Sequence, residues 1–412
     1  MASITSTLSF GIDYKNANIG YAWSLNSFTA GQASVGWPGG LYTYDAFIRF
    51  GPIYIPQGAT INSAYITLLG GNSVTVHTCN AIIKVARYTS TAPTNHVEYD
   101  TIVWSDTTVA WNNVEAFAGS GPSLTAKRNT PSITSLVQEK ISGAGWSEGD
   151  FILIGIQDNG SDSGVYRTIQ GTAGGAGKTP VLVITFTVEN KWYGQAQSTT
   201  DIMSAWRCPT NPAVDDLEVP PSSYGFLPWG ASTYFGQPFF WDWGLRFPNC
   251  DIPRRSIITS ANLYQFSTSV SQTLDVSYDI YANYINNAIS PPNGDEDAWA
   301  ALVKTTKYHN IAWTTDMVAW TWYLMASGFT EPLQEAINKL GYRQGNAIML
   351  MGFETYVSVP NTTLQVTSLA GDSPYYVGKY AYAPKLKIEF TDYTGQPPQV
   401  IPLVYMKNKV IK

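Results

Sequence analysis

Short apolar runs alternate with polar positions at a period of two along most of this chain. Ala64, Ile66 and Leu68 fall on one side of such a run, with Tyr65 and Thr67 on the other. Leu182, Ile184 and Phe186 alternate in the same way with Val181, Val183 and Thr185. Successive side chains of an extended chain point to opposite faces, so this alternation predicts strands with one buried face. Clusters of Gly, Pro, Ser, Thr and Asn between the runs predict turns. Two segments break the pattern: residues 133–141 and 332–340 each predict a short helix, followed by an apolar strand at 151–154 and 348–351.

The elements recur. Arg49-Phe50 and Ile55-Pro56 match Arg246-Phe247 and Ile252-Pro253 at a spacing of 197 positions, and Ile61, Ser63 and Ala64 fall on Ile258, Ser260 and Ala261. At the same spacing Leu136 falls on Leu333 and Gly155 on Gly352. Small insertions bring Ala110-Trp111 onto Ala312-Trp313, at 202, and the closing run from Pro180 to Phe186 onto that from Pro384 to Phe390, at 204. Matches in this order mark a duplication. The expectation is an all-β chain of two tandem β-sandwich domains, 1–190 and 191–394, each with one short helix covering an end or edge, and an extended C-terminal arm at 395–412.

The two closing strands differ on their outer faces. Lys385, Lys387 and Glu389 in the second copy suit water, whereas Val181 and Val183 in the first are apolar and need covering. This face is expected to pack against the other copy, another subunit or a neighbouring protein. Gly395-Gln396-Pro397-Pro398 reads as a stiff linker to an apolar arm carrying Ile401, Leu403, Tyr405 and Ile411. Such an arm docks on a neighbour by strand addition or groove filling, or folds back on its own domain.

Composition narrows the function. Charged residues make up 13% of the 412 and aromatic residues 14%; the net charge is −6, and no Lys/Arg run supplies the footprint that nucleic acid needs. No apolar run is long enough for a membrane helix, and Met1 to Thr7 lacks the basic and apolar regions of a signal peptide. Cys79, Cys208 and Cys250 are odd in number and in no C-x-x-C arrangement, which predicts reduced thiols and folding in a reducing cytosol.

Candidate chemistry is sparse. His77, His96 and His309 lie far apart and outside any ligand spacing, and no nucleophile elbow is present. The Gly-rich run from Gly171 to Lys178 precedes a strand, not the helix a phosphate loop needs. The loops from Asp158 to Asp162 and from Asn293 to Asp297 offer the oxygen ligands that calcium prefers. They read better as a hairpin turn at Asp158-Asn159-Gly160 and as a helix N-cap at Asp297. No cofactor is assigned. The aromatic stretches ahead of Arg49 and Arg246 contain Trp23, Trp37, Trp229, Trp241 and Trp243, candidates for protein-interface or glycan contacts beside ordinary packing.

In their order, these repeated blocks resemble the DNRLRE-type domain, a jelly-roll β-sandwich related to carbohydrate-binding modules. In that family an aromatic/Arg-Phe strand leads to Ile-Pro, an Ile-x-Ser-Ala strand, a Thr-Trp-type element, a short helix and a closing Pro-x-Leu-x-Ile-x-Phe strand. The resemblance covers about nine tenths of the chain and implies two tandem jelly rolls. Such domains occur in bacterial surface proteins and in phage virions. With the reduced cysteines and the arm, it implies a non-enzymatic phage virion structural protein: a tail component, fibre or capsid-surface decoration. Its expected partners are other virion proteins and further copies of itself, with a surface glycan as a further ligand, and its expected place is the virion, assembled in the host cytoplasm. The alternative is a glycan-binding or adhesive cell-surface module.

Overall fold

The computed structural model describes residues 3–11, 19–23, 27–30, 33–40, 42–70, 77–116, 127–171, 179–198, 201–207, 226–234, 237–267, 272–289, 299, 301–318, 321–357, 363–367 and 383–391, with backbone alone at 3–5, 7–11, 19–23, 27–30, 42, 203–207, 226–234, 237–241, 272–275, 313–317, 356–357 and 363–367. The first copy begins with β1 (Ser3–Gly11), β2 (Ile19–Trp23), β3 (Ser27–Ala30), β4 (Ala33–Gly39), β5 (Tyr42–Phe50), β6 (Thr60–Leu69) and β7 (Ala81–Val85). It continues with α1 (His96–Asp100), β8 (Val109–Trp111), β9 (Lys127–Asn129), α2 (Thr134–Ser142), β10 (Ile152–Asp158), β11 (Val165–Ile169) and β12 (Val181–Glu189). The second copy has β13 (Lys191–Gln195), β14 (Ile202–Arg207), β15 (Phe226–Tyr234), β16 (Gln237–Cys250), β17 (Ile257–Ser267) and β18 (Gln272–Ala282). After these come β19 (His309–Met317), β20 (Thr321–Ser327), α3 (Thr330–Asn338), β21 (Asn346–Val357), β22 (Thr363–Thr367) and β23 (Lys385–Thr391).

The chain is all-β: two β-sandwiches in tandem. In the first, β1-β12-β6-β9 faces β11-β4-β5-β10-β7-β8. The period-two faces meet between the layers, with Ile66, Leu182, Ile184 and Phe186 from one sheet against Ile48, Ile83, Ile154 and Ile156 from the other. The second repeats this with β13-β23-β17 facing β16-β21-β18-β19, but β15 pairs with both β16 and β22 and so joins the layers into one continuous path. Each layer alternates because one face meets the core.

The duplication holds, with a corrected register. Ala64 faces Ile184 across the ladder as Ala261 faces Ile388, so the spacings of 197 and 204 are right. The helix block is one residue out. The Gln138 carboxamide accepts from Ile61 N–H at 2.7 Å and donates to the Ala59 carbonyl at 3.0 Å. Gln334 does the same with Ile258, at 2.8 Å, and Ser256, at 2.8 Å. Gln138 therefore matches Gln334, Leu136 matches Pro332, and Gly155 stands where the second copy has Met351. Likewise Trp111 pairs with Ala81 as Ile311 pairs with Tyr278, so Trp111 matches Ile311 and not Trp313. A run of apolar residues tolerates such a slip in the reading because either register keeps the pattern apolar.

Among the described residues the first copy has two helices instead of the one expected. α1 is a five-residue turn capped by Asn95, whose side chain accepts from Glu98 N–H at 3.0 Å. It is too short to show a period, and it lays Tyr99 over Phe47 and Leu153 on the outside of the sheet.

Candidate functional site

The expected interface residues Val181 and Val183 lie at a seam between the copies. Val181, 3% exposed, packs with Phe266 of β17, and Val183 and Trp322 of β20 close around them. Tyr54, from the loop ending at Pro56, packs its ring 4.5 Å from Tyr264 and 6.1 Å from Trp322. Copy two's expected wet face is corrected here. Lys385 is buried, with its ammonium 4.2 Å from the Trp322 ring centre and 5.7 Å from that of Tyr54. Lys387 reaches back to Glu148 of copy one at 2.7 Å. The outer faces of β12 and β23 were read as one dry and one wet, but both are taken up by this seam.

Electrostatics follow from that burial. Desolvation pushes the Lys385 ammonium well below the ordinary lysine range, and the aromatic faces on either side offset part of that penalty when it carries charge. Burial works the same way on Lys387, but the Glu148 and Glu389 carboxylates outweigh it and hold its pKa above the usual lysine value. Tyr193 donates to the other Glu148 oxygen at 3.4 Å. One acid thus ties together β13, β23 and the loop after α2.

The strand β13, just past the boundary expected at residue 190, belongs to both cores. Asn190 turns the chain with φ of 56°, and alternation then sends Trp192 into the second core and Tyr193 into the first. The Tyr193 ring meets Phe186 at 5.3 Å, and its N–H donates to Ser6 Oγ at 3.2 Å. β13 pairs with β23 as β1 pairs with β12. Nothing in the repeat pattern marked this strand as shared.

Trp243 is corrected as a surface candidate, because it is fully buried in the second core, 6.1 Å from Tyr278. It faces Gly352 across the ladder, where the first copy pairs Ala46 with Ile156. A Cβ on Gly352 would lie 2.1 Å from the indole. A small–large pair has been exchanged for a large–small one, and the correct repeat register would have revealed it. Trp37 is half-buried and donates its indole N–H to the Gly40 carbonyl at 3.2 Å. Trp23, Trp229 and Trp241 lie on β2, β15 and β16 with their side chains outside the described residues, as do Ile401, Leu403, Tyr405 and Ile411 entirely.

The candidate calcium loop at Asp158 spends its carboxylates on backbone. Asp158 accepts from Gly160 and Ser161 N–H, each at 3.3 Å, and Asp162 from Thr78 N–H at 3.0 Å. Among the described residues no group of three or more His, Cys, Asp and Glu is placed to hold a metal. The segments 172–178 and 293–297 lie outside those residues, as does Cys208. Cys79 and Cys250 are buried, unpaired thiols, and burial pushes Cys250 up to about 12. His96 Nδ1 lies 2.9 Å from Asp100 within α1, and no described helix is long and apolar enough to cross a membrane.

No family model and no curated protein matches the chain, so the likeness to the DNRLRE-type domain rests on the repeated motifs alone. Among solved structures, it is similar to the N-terminal CBM22-1–CBM22-2 tandem domain of Xyn10C from Paenibacillus barcinonensis, at 7% identity and a TM-score of 0.20, covering 95% of this chain and 99% of that one. Truncated AlyQ with CBM32 and alginate lyase domains matches at 10% identity and a TM-score of 0.21, over 93% and 98% of the two chains. A structure of infectious bursal disease virus, Gt strain, matches at 8% identity and 0.17, over 96% and 76%. At these scores nothing about function rests on the likeness; the all-β tandem architecture rests on the strand pairing itself.

Proposed function

We propose that this chain is a non-enzymatic structural protein of a phage virion, a tail component, fibre or capsid-surface decoration that assembles with copies of itself and other virion proteins. The observation that carries this reading is the seam. Two domains on a linker move independently unless a large apolar contact joins them. Here a shared strand, the Val181–Phe266 contact, the Tyr54–Tyr264–Trp322 cluster and the Lys387–Glu148 pair fix one copy on the other. Fixed geometry suits a building block that holds its neighbours at set positions. Two independent binding modules instead gain avidity from a linker that lets each find its own site.

The seam also changes where assembly contacts must lie. Val181 and Val183 are used within the chain, which leaves the arm with Ile401, Leu403, Tyr405 and Ile411 as the candidate contact to a neighbour. Native mass spectrometry of the full chain beside a version ending at Thr394 tests this. A defined oligomer that dissociates on truncation is the expected result. A monomer in both versions that binds a polysaccharide saturably would replace this reading with the glycan-binding surface module.

A further inference from the structure

We propose that the arm of a second molecule of this chain adds as a strand to the outer edge of β19, pairing antiparallel through its segment 401–406. This contact rests on the assembly reading above and gives the arm a receiving surface. The duplication supplies an internal comparison. In the first copy the matching hairpin is short: β7 and β8 share three residue pairs, from Ala81↔Trp111 to Ile83↔Val109. Asn113 then turns the chain with φ of 53°, and its N–H donates to Asn80 Oδ1 at 3.0 Å. In the second copy β18 and β19 share nine pairs, from Gln272↔Met317 to Ile280↔His309, without a shift of register. Since Trp111 matches Ile311, residues 312–317 are an extension of the strand that the first copy lacks.

β19 ends its sheet, and among the described residues it pairs with β18 alone. Proteins that stay monomeric blunt such edges by shortness, Lys, Pro or a bulge. β19 has nine residues, no Lys, Arg, Pro or Gly, and no bulge against β18. It therefore presents a regular row of backbone donors and acceptors to an incoming strand. The arm, outside the described residues, has complementary chemistry. Its segment 401–406, Ile-Pro-Leu-Val-Tyr-Met, is rich in strand formers, and Pro402 is tolerated in a strand that itself becomes the edge. Residues 395–412 carry Lys407, Lys409 and Lys412 and no acid. β18 and β19 carry Asp275, Asp279 and Asp316 and no Lys or Arg. Register puts positions 275, 279 and 316 on one face, opposite that of Val276, Tyr278 and Ile280.

Chain reach assigns the arm to a second molecule. β23 ends at Thr391 opposite Ile257, at one end of β17. β19 ends opposite Gln272, which follows the other end of β17, at Ser267, after a short connection. To pair antiparallel, an arm must enter at the Met317 end. From Thr391 that path runs the length of β17, about 33 Å, and crosses to the facing sheet, about 10 Å more. The nine residues 392–400 span at most about 30 Å. The chain's own arm reaches only the His309 end and would run parallel to β19, whereas every ladder described in the second copy is antiparallel. The arm of another molecule has no such restriction.

Titrating the chain ending at Thr394 with a synthetic peptide of residues 395–412, with amide hydrogen exchange as the readout, tests this. The peptide is expected to bind saturably and to slow exchange at least tenfold within 309–317 but not within 109–111. Ala312 is exposed, so Ala312→Lys puts a charge at the edge without touching the core. It should weaken peptide binding at least tenfold at an unchanged unfolding midpoint, and in the full chain it should dissociate the oligomer that the wild type forms. An oligomer that needs the arm but survives Ala312→Lys, with peptide protection elsewhere, would overturn this contact and leave the assembly reading standing. A monomeric full chain whose β19 amides are protected relative to the truncated chain would put the arm on its own molecule and overturn the assignment to a second one. A monomeric full chain without that protection would overturn both the contact and the arm's part in assembly.

Discussion

Asp45 sits on β5, where its carboxylate accepts from Asp158 N–H at 2.9 Å; burial, reinforced by the nearby Asp158 charge, pushes its pKa up to about 6. Asp242 repeats the device with Glu354 N–H at 2.9 Å. A raised carboxyl pKa means the folded protein binds the proton more tightly than the unfolded chain. Its contribution is therefore full below about pH 4 and is lost as pH rises through about 6. Asp45→Asn keeps an acceptor for the Asp158 N–H and removes the titration. Urea unfolding at pH 4, 5, 6 and 7 should show the wild type losing up to about 3 kcal/mol relative to this variant across that window. Parallel curves would mean that Asp45 does not titrate there. At Gly352 the constraint is steric, and Gly352→Ala, which drives a methyl into the Trp243 indole, should cost about 1–3 kcal/mol.

At the level of elements, α2 and α3 each carry one glutamine that clamps the helix to its sandwich. Gln138 and Gln334 close the same two-bond clamp onto the start of β6 and β17, at a spacing of 196 positions that the apolar pattern did not single out. Glutamine carries the donor and the acceptor that one N–H and one C=O require. Gln138→Ala leaves the Ile61 N–H and the Ala59 carbonyl without these partners and should cost about 1–2 kcal/mol in urea unfolding. Gln138→Glu supplies the acceptor but not the donor and should fall between. Equal stability of all three proteins would show that water replaces the clamp at no cost. The strand β13 is the other instructive element, because five residues serve two cores through simple alternation.

For the whole molecule, the seam predicts that the two sandwiches unfold together. Calorimetry of the wild type should give one transition. Val181→Asp places a charge against Phe266 in a dry contact, a change worth about 3 kcal/mol or more. It should split that transition in two, leaving each sandwich folded on its own core. A single transition at an unchanged midpoint would show that the seam does not couple the copies. Raising the salt concentration should do little by comparison, since the Lys387–Glu148 pair is largely buried and screened less than a surface pair.

The sequence by itself determined the class of the fold and the duplication, because period-two alternation and repeated Arg-Phe, Ile-Pro and closing-strand motifs are local signals that survive without coordinates. It also determined that Val181 and Val183 need cover, since an apolar outer face is legible from one strand. The tertiary structure alone decided what covers them, that Lys385 and Lys387 face the same seam, and that Trp243 is core. Each of those depends on which residues lie opposite one another across distant strands. Lys385 reads as a surface residue in its own strand and becomes buried only when Trp322 and Tyr54 close over it. Trp243 reads as a surface aromatic until Gly352 is seen beneath it. The one-residue slip in the helix block was illegible for the same reason: only the ladders of the strands that follow the helices, and the glutamine clamps, set that register.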